Sequence, residues 1–227
     1  MVKWRGVNSP GQIAESFELM QQLIQYRYDK PLHHQLMKAA DYSMLDEDVL
    51  VLICHMAKVC EGGVLEIGSF LGASTVAAGL GIRASGREKK FVSIEPGGRL
   101  KDHRLASKDI FRDLTKHVAR AGLLDSVTLI NGASFDQTTV ASVKERFGPG
   151  EIGLFIFDAD ANVRRDIDCY GDRLASGCWM VIDDYISATD KAGPTRAQVD
   201  ELTAQGRLMP LGFYGWGTWI GRWLVQS

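Results

Sequence analysis

The sequence has little of what marks secreted or fibrous proteins. Only four of its 227 residues are cysteine and six are proline. The cysteines show no C-x-x-C spacing, so we expect reduced thiols and neither a disulfide framework nor a zinc site. They are Cys54, Cys60, Cys169 and Cys178. A chain of this length is expected to fold on a hydrophobic core alone.

The sequence also lacks an excess of charge of either sign and lacks long apolar runs. The 26 Lys and Arg residues nearly balance the 28 Asp and Glu residues, so nucleic acid is not the expected partner. The best apolar run, residues 49–56, is interrupted by His55 and is far shorter than the ~20 residues that span a bilayer. The first residues lack the apolar core of a signal peptide. We expect a cytoplasmic protein without a membrane segment.

Two patterns divide the chain into an extension (residues 1–45) and a single domain (residues 46–227). In the extension, Ser9-Pro10 is a typical helix start, and apolar residues then recur at helical spacing. These are Ile13, Phe17, Met20 and Ile24. A further helix is predicted from the acids at 46–48 to Gly62.

The domain alternates apolar strands with amphipathic helices, which predicts an α/β fold with a doubly wound, mostly parallel sheet. Its last two strands are predicted to form an antiparallel hairpin, for seven strands in all. The predicted strands are Val64–Ile67, Phe91–Ile94, Val127–Ile130, Ile152–Phe157, Trp179–Ile182, Leu208–Phe213 and Thr218–Leu224. Helices are predicted at Ser74–Ile82, Ile110–Ala121, Val140–Phe147, Val163–Leu174 and Pro194–Gln205.

A glycine loop follows the first strand, at the point where doubly wound sheets bind nucleotides. Gly68 and Gly72 are spaced G-x-x-x-G, and Glu66 lies within the strand. The second strand ends in Glu95, 23 residues beyond Gly72, near the ~20-residue offset at which an acid binds a ribose. The third strand ends in a polar loop, residues 131–136, that could frame an adenine.

These motifs, in this order, resemble the class I S-adenosylmethionine-dependent methyltransferases, and among them the small-molecule O-methyltransferases. The resemblance covers roughly residues 44–200 and implies a Rossmann-like fold in which the N-terminal extension forms a lid. It places Glu66 and Gly68 near the methionine portion and Glu95 on the ribose. The implied cofactor contacts are Glu66, Gly68, Ser69, Phe70, Gly72, Ser74, Glu95, Gly132, Ala133, Ser134, Phe135 and Asp158.

Paired acids end two further strands. Asp158 and Asp160 follow one strand, and Asp183 and Asp184 follow the next. Neighbouring parallel strands lie about 4.8 Å apart, so these carboxylates should gather at one edge of the sheet. Hard oxygen ligands favour Mg²⁺, Mn²⁺ or Ca²⁺. The alternative is that the acids cap helices, and Asp160 in particular suits an N-cap.

The metal-dependent O-methyltransferases are similar at these positions. The resemblance implies that Asp158, Asp183 and Asp184 are metal ligands. It also implies that Asp158 and Asp160 are the catalytic residues, with Asp160 as the proton acceptor. The catechol type carries a lysine base where this chain has Ala161, so the sugar-modifying type of antibiotic pathways is more similar. His34 and His103 are alternative bases.

The sequence therefore predicts methyl transfer from S-adenosylmethionine to a hydroxyl of a small molecule, assisted by Mg²⁺ or a related dication. A metal-independent O- or N-methyltransferase, a nicotinamide oxidoreductase and a cofactor sensor remain alternatives, although the G-x-G-x-x-G of dinucleotide folds is missing. The aromatic residues of the terminal hairpin suit either a core or dimer surface or a stacking platform for the substrate. We expect a homodimer, because that hairpin would be exposed.

Overall fold

The structure, a computed structural model, describes residues 9–225. The helices are α1 (Pro10–Gln25), α2 (Lys30–Ala40), α3 (Glu47–Val59), α4 (Ala73–Ser85), α5 (Ile110–Arg120), α6 (Gln137–Arg146), α7 (Val163–Tyr170) and α8 (Ala192–Ala204). The strands are β1 (Gly63–Ile67), β2 (Phe91–Glu95), β3 (Thr128–Asn131), β4 (Ile152–Phe157), β5 (Leu174–Ile182), β6 (Leu208–Tyr214) and β7 (Thr218–Trp223).

The seven strands form one sheet in the order β3-β2-β1-β4-β5-β7-β6. The first five pair in parallel, and β7 runs antiparallel to both β5 and β6. The predicted doubly wound sheet with a C-terminal antiparallel hairpin is therefore confirmed. The order of the strands along the chain reverses between β1 and β4, and the carboxyl ends of these two parallel strands form the crevice where such folds bind ligands.

Both faces of the sheet are covered, which explains why its central strands are largely apolar and β4 entirely so. Successive side chains of a strand point to opposite faces. In β4, Leu154 and Ile156 pack with α3 and α4, whereas Phe155 and Phe157 pack with the layer that contains α7 and α8. Within residues 9–225, no helix is long and apolar enough to cross a bilayer.

Side-chain caps set several helix starts. The Ser9 hydroxyl accepts a hydrogen bond from the Gln12 backbone N–H, and the Gln12 side chain accepts one from the Ser9 N–H. This capping box confirms the predicted start of α1. Asp46 is the N-cap of α3, and its side chain accepts a hydrogen bond from the Asp48 N–H at 2.9 Å. The N-cap of α7 is Asn162, whose side chain accepts a hydrogen bond from the Arg165 N–H. Asp160 is not the cap of this helix; its carboxylate accepts a hydrogen bond from the Asn162 N–H instead.

Two features differ from the sequence pattern. Leu174 continues the apolar spacing of α7, yet the helix ends at Tyr170 and Leu174 opens β5, five residues before the predicted start of that strand. The second feature concerns α1, whose apolar residues point away from the protein: Ile13, Phe17, Met20 and Ile24 are exposed. Helix periodicity identifies the residues that share a face but not the direction in which that face points.

Candidate functional site

The turn after β1 is shaped for close backbone approach. Gly68 has a φ of 85°, and a Cβ added there would lie 1.9 Å from the Asp158 carbonyl oxygen. Phe70 also has a positive φ, 47°, which is rare for an aromatic residue and marks a conformation held by its surroundings. Gly72, with a φ of 90°, is the N-cap of α4. The loop therefore presents backbone rather than side chain at the carboxyl end of β1.

Glu95 ends β2 beside this turn. Its two carboxylate oxygens accept hydrogen bonds from the backbone N–H groups of Phe70, at 2.7 Å, and Gly97, at 2.9 Å. Burial raises the pKa of Glu95, although these N–H groups act in the opposite direction. The carboxylate is thus fixed at the cavity wall and retains lone pairs for hydroxyl donors of a ligand.

Glu66 lies beneath the loop rather than in the cavity. It is fully buried, and one carboxylate oxygen accepts from the hydroxyls of Thr75 and Ser93, each at 2.6 Å. Ser69 in turn bonds to Ser93. Burial raises the pKa of Glu66, opposed by the surrounding hydroxyl groups. This network ties β1, β2 and the start of α4 together, so Glu66 supports the loop from below.

A cavity of about 270 Å³ opens above the loop. Of the predicted cofactor contacts, six line this cavity: Gly68, Phe70, Glu95, Ala133, Ser134 and Phe135, together with Asp158 at its edge. The other five do not line it: Glu66, Ser69, Gly72, Ser74 and Gly132. Three strand ends, those of β1, β2 and β3, therefore converge on one cavity as predicted.

The predicted acid cluster assembles at the adjoining strand ends. Phe157 of β4 pairs with Ile182 of β5, which places Asp158 next to Asp183. Carboxylate oxygens of Asp158, Asp183 and Asp184, which we call the acid triad, lie within 4.8 Å of one another. Burial, followed by the neighbouring carboxylates, raises the pKa of Asp158. Burial also raises the pKa of Asp183.

The triad is held in place by its neighbours. Thr218 of β7 donates a hydrogen bond to Asp183. Asp184 has a φ of 58°, a left-handed conformation that costs energy in a residue other than glycine. The Lys191 ammonium lies 3.4 Å from Asp184 and donates to the Ala159 carbonyl at 2.6 Å. One ammonium thus offsets part of the charge of three carboxylates.

Asp160 lies apart from the triad. It forms a two-pronged ion pair with Arg165, at 2.8 and 3.1 Å, and lines the cavity above the glycine loop. Burial raises its pKa, but the hydrogen bonds and charge of Arg165 outweigh this and lower it. The same guanidinium lies 4.0 Å from the centre of the Phe135 ring. Arg165 thus joins Asp160 to the loop after β3.

A second cavity, of about 400 Å³, lies on the other side of the triad. It shares Met44, Asp158 and Lys191 with the first cavity. The rest of its wall includes Asp183, Asp184, His103, Arg104, Ile186, Trp216 and Thr218. The site therefore consists of two adjoining cavities with the Asp158 carboxylate at their common edge and the other two triad carboxylates in the second cavity.

A family model described as a methyltransferase domain matches residues 65–185, more than half of the 227-residue chain. The chain belongs to this family. The matched segment contains the glycine loop, Glu95 and the acid triad, and it ends before Lys191, Trp216 and Thr218. No curated protein matches this methyltransferase.

Solved structures share the fold of this methyltransferase at low sequence identity. The O-methyltransferase TomG from Streptomyces achromogenes, solved with S-adenosylmethionine, is 15% identical, with a TM-score of 0.61 over 85% of this chain and 90% of that one. An O-methyltransferase from Bacillus cereus in complex with S-adenosylhomocysteine is 14% identical, with a TM-score of 0.57 over 85% and 91%. A third, from Thermotoga maritima, is 13% identical, with a TM-score of 0.54 over 85% and 71%.

The structure adds residues that the sequence did not single out for this site. Arg165 and Lys191 enter it from α7 and from the start of α8. The Asp-containing strand ends signal the carboxylates, but no short-range pattern indicates which distant cation will face them. Trp216 was one of several aromatic residues in the terminal hairpin, and its position at the second cavity depends on how the hairpin packs.

Proposed function

We propose that this methyltransferase transfers a methyl group from S-adenosylmethionine to a hydroxyl of a small molecule, assisted by a divalent cation bound to the acid triad. The observation that carries the proposal is the shared wall: Asp158 belongs both to the cavity above the glycine loop and to the acid-lined cavity. A methyl donor in one cavity and an acceptor in the other would meet at that residue.

The residues around the first cavity fit the donor. Gly68 leaves no room for a Cβ, so backbone forms the floor. The buried Glu95 carboxylate can accept hydrogen bonds from two ribose hydroxyls. Phe135, with Arg165 packed on its ring, offers an apolar surface for an adenine. Bound S-adenosylmethionine was also found in TomG, which has the same fold.

The acid triad fits a hard dication. Three carboxylate oxygens within 4.8 Å of one another are the donor set that Mg²⁺ and Mn²⁺ prefer. When bound, S-adenosylmethionine supplies an electrophilic methyl group and a divalent cation lowers the pKa of an acceptor hydroxyl. Thr218 and the strand ends fix the carboxylates beforehand, so little ordering is needed on binding.

None of the three candidate bases is well placed to take a proton. His34 is exposed on α2 and lines neither cavity. Asp160 is ion-paired with Arg165, which lowers its pKa. His103 lines the second cavity, but its Nδ1 accepts a hydrogen bond from the Leu105 N–H at 3.1 Å. Neutral His103 therefore carries its proton on Nε2 and acts as a donor. We infer that a dication held by the acid triad would lower the pKa of the acceptor hydroxyl enough for its proton to pass to solvent water, so that no dedicated base is needed and Asp160→Asn retains most of kcat.

The second cavity favours an acceptor with a flat apolar face. Trp216 lies in the turn between β6 and β7 with 68% of its surface exposed. This turn packs closely against the rest of the protein at the glycines on either side of Trp216. A Cβ added at Gly215 would lie 2.4 Å from the Asp46 Cβ, and one added at Gly217 would lie 2.0 Å from the Ile186 carbonyl oxygen. An exposed indole on a rigid turn is suited to stack on a ring. We propose an acceptor that presents a ring face to Trp216 and adjacent oxygens to the triad.

The test has two parts. Calorimetric titration should show S-adenosylhomocysteine binding to the wild type, and binding at least 10-fold weaker to Glu95→Ala; a matched control is Glu151→Ala, since Glu151 lies at the opposite end of the sheet, before β4. Turnover of a panel of catechols and vicinal diols should be lost in EDTA and restored by Mg²⁺. Failure of S-adenosylhomocysteine to bind would contradict the donor assignment.

Metal-independent transfer on the same fold is the second candidate. Lys191, 3.4 Å from Asp184, could neutralise enough of the triad for the carboxylates to bind a substrate directly. Turnover that survives EDTA but is lost in Lys191→Met would favour this candidate over the metal-assisted one.

A further inference from the structure

Helix α1 carries an apolar stripe on its outward side, in addition to Leu19, which is buried. In a surface helix the apolar stripe normally faces the protein and the polar side faces water. In α1 and the turn that follows it, Ile13, Phe17, Met20, Ile24 and Tyr28 are between 44% and 84% exposed. A stripe of this kind in water is unfavourable, because removing large apolar side chains from water is the main favourable contribution to folding and association.

Polar side chains of α1 face the body of the protein instead. Ser16 donates a hydrogen bond to the Leu211 carbonyl at 2.8 Å, and Gln12 donates to the Pro210 carbonyl. Glu15 pairs with Arg222 at 2.7 Å. These contacts join α1 to β6 and β7, and Leu19 is the buried apolar residue of the helix. The orientation of α1 is therefore set by specific contacts, and its outward apolar face follows from that orientation.

The spacing of the exposed residues is that of a helix–helix seam. From Ile13 to Phe17, Met20 and Ile24 the steps are four, three and four residues, the a/d repeat with which two helices pack against each other. The stripe contains no charged residue. A second helix with the same stripe, lying antiparallel across a two-fold axis, would bury all four side chains on both sides.

We propose that the exposed stripe of α1 is the interface of a homodimer. At roughly 200 Å² per large side chain, the exposed fractions of the stripe and Tyr28 amount to on the order of 600 Å². Two copies then bury about 1,200 Å², the lower end of the standard size for a specific interface. An isologous pairing needs only this one patch, since the same surface serves both copies.

The charge of α1 argues against a membrane surface as the occupant. Helices that lie on anionic membranes carry Lys and Arg beside the apolar face. Pro10–Gln25 contains no lysine or arginine, and its two charged residues are Glu15 and Glu18. The helix therefore lacks the cations that bind anionic lipid, and Arg27 in the turn that follows lies over the Tyr26 ring. A second copy of the same uncharged stripe needs no such cations. The interface also differs from the terminal hairpin, which the sequence pattern had favoured.

The experiment is sedimentation velocity on the full chain, with Phe17→Glu as the disrupting variant. The wild type should sediment as a dimer of about 50 kDa, twice the 25.0 kDa chain, and Phe17→Glu as a monomer. The matched control, Gln25→Glu, adds the same charge to an exposed position of the same helix on another face and should remain dimeric. Both variants should keep the wild-type circular dichroism spectrum, because neither side chain packs inside the protomer.

A cross-link tests the interface independently of sedimentation. Met20 lies near the middle of the stripe, so Met20→Cys should give a disulfide-linked dimer on mild oxidation, whereas Gln25→Cys should not. A wild type that stays monomeric at 100 µM would overturn the proposal. A Phe17→Glu variant that stays dimeric would overturn it as well, because the dimer would then use another surface. These readouts do not depend on methyl transfer.

Discussion

Asp183→Asn should make the metal-free protein more stable. At an effective dielectric constant of about 20, two unit charges within 4.8 Å repel by roughly 3 kcal/mol or more. Proton uptake by Asp158, whose pKa is raised, and the nearby Lys191 ammonium relieve part of this repulsion. We therefore expect a net gain of about 1–2 kcal/mol, which for a domain of this size raises Tm by about 2–8 °C. The amide oxygen of the introduced asparagine can still accept a hydrogen bond from Thr218.

A bound dication should reverse the order of stability. Ligand that binds only the folded state stabilises it by about 2.7 kcal/mol at 100 times its Kd. The wild type should gain this stabilisation in Mg²⁺, whereas Asp183→Asn, which lacks one of the three carboxylates, should gain little stability. The variant is thus expected to unfold at higher temperature than wild type in EDTA and at lower temperature in saturating Mg²⁺.

The assay is thermal unfolding followed by circular dichroism, in EDTA and in 10 mM MgCl₂. Asp160→Asn is the matched control, since Asp160 follows the same strand as Asp158 but pairs with Arg165 outside the triad. Its exposed ion pair contributes little to stability, so this variant should unfold like the wild type and keep the Mg²⁺ shift. Equal Mg²⁺ shifts in wild type and Asp183→Asn, or no stabilisation of the variant in EDTA, would refute the reasoning.

Three further predictions concern the two cavities. Because burial raises the pKa of Glu95, affinity for S-adenosylhomocysteine should fall as pH falls through that raised pKa; Glu95→Gln should bind on the order of 10- to 100-fold more weakly and lose this pH dependence, and calorimetry from pH 5 to 8 measures both. Trp216→Ala should raise the acceptor KM on the order of 10-fold with kcat little changed, and Trp216→Phe should restore it; an unchanged KM would argue against stacking. Gly68→Ala should lose S-adenosylhomocysteine binding and several degrees of Tm, because its Cβ would lie 1.9 Å from a backbone oxygen; Gly86→Ala, with a similar φ of 66° and nothing within 4 Å, isolates the cost of the backbone conformation.

Much of the fold was predictable because buried parallel strands are mostly apolar. Ile152–Phe157 has no polar residue and was found at its predicted bounds as β4. The start of β5 was not predictable, because small and polar residues follow Leu174 and that leucine fits the spacing of the preceding helix. Only the pairing of Leu174 with Ile152 across the sheet reveals it as part of a strand.

The acid triad was predictable for a topological reason. Parallel neighbours end at the same edge, so acids directly after two such strands must lie close together. The ion pair of Asp160 with Arg165 was not predictable, because it depends on how the segment between β4 and α7 folds. The direction in which the apolar stripe of α1 points was also not predictable. The spacing of apolar residues in a sequence is the same whether the stripe packs on the protein's own core or is exposed.

The most direct test of the central claim is a crystal structure with S-adenosylhomocysteine and Mn²⁺, with data collected at the manganese absorption edge. We predict an anomalous peak about 2.1 Å from oxygens of Asp158, Asp183 and Asp184, and S-adenosylhomocysteine beside Gly68 with its ribose on Glu95. An anomalous map without a peak at the triad, with S-adenosylhomocysteine in place, would contradict metal-assisted transfer.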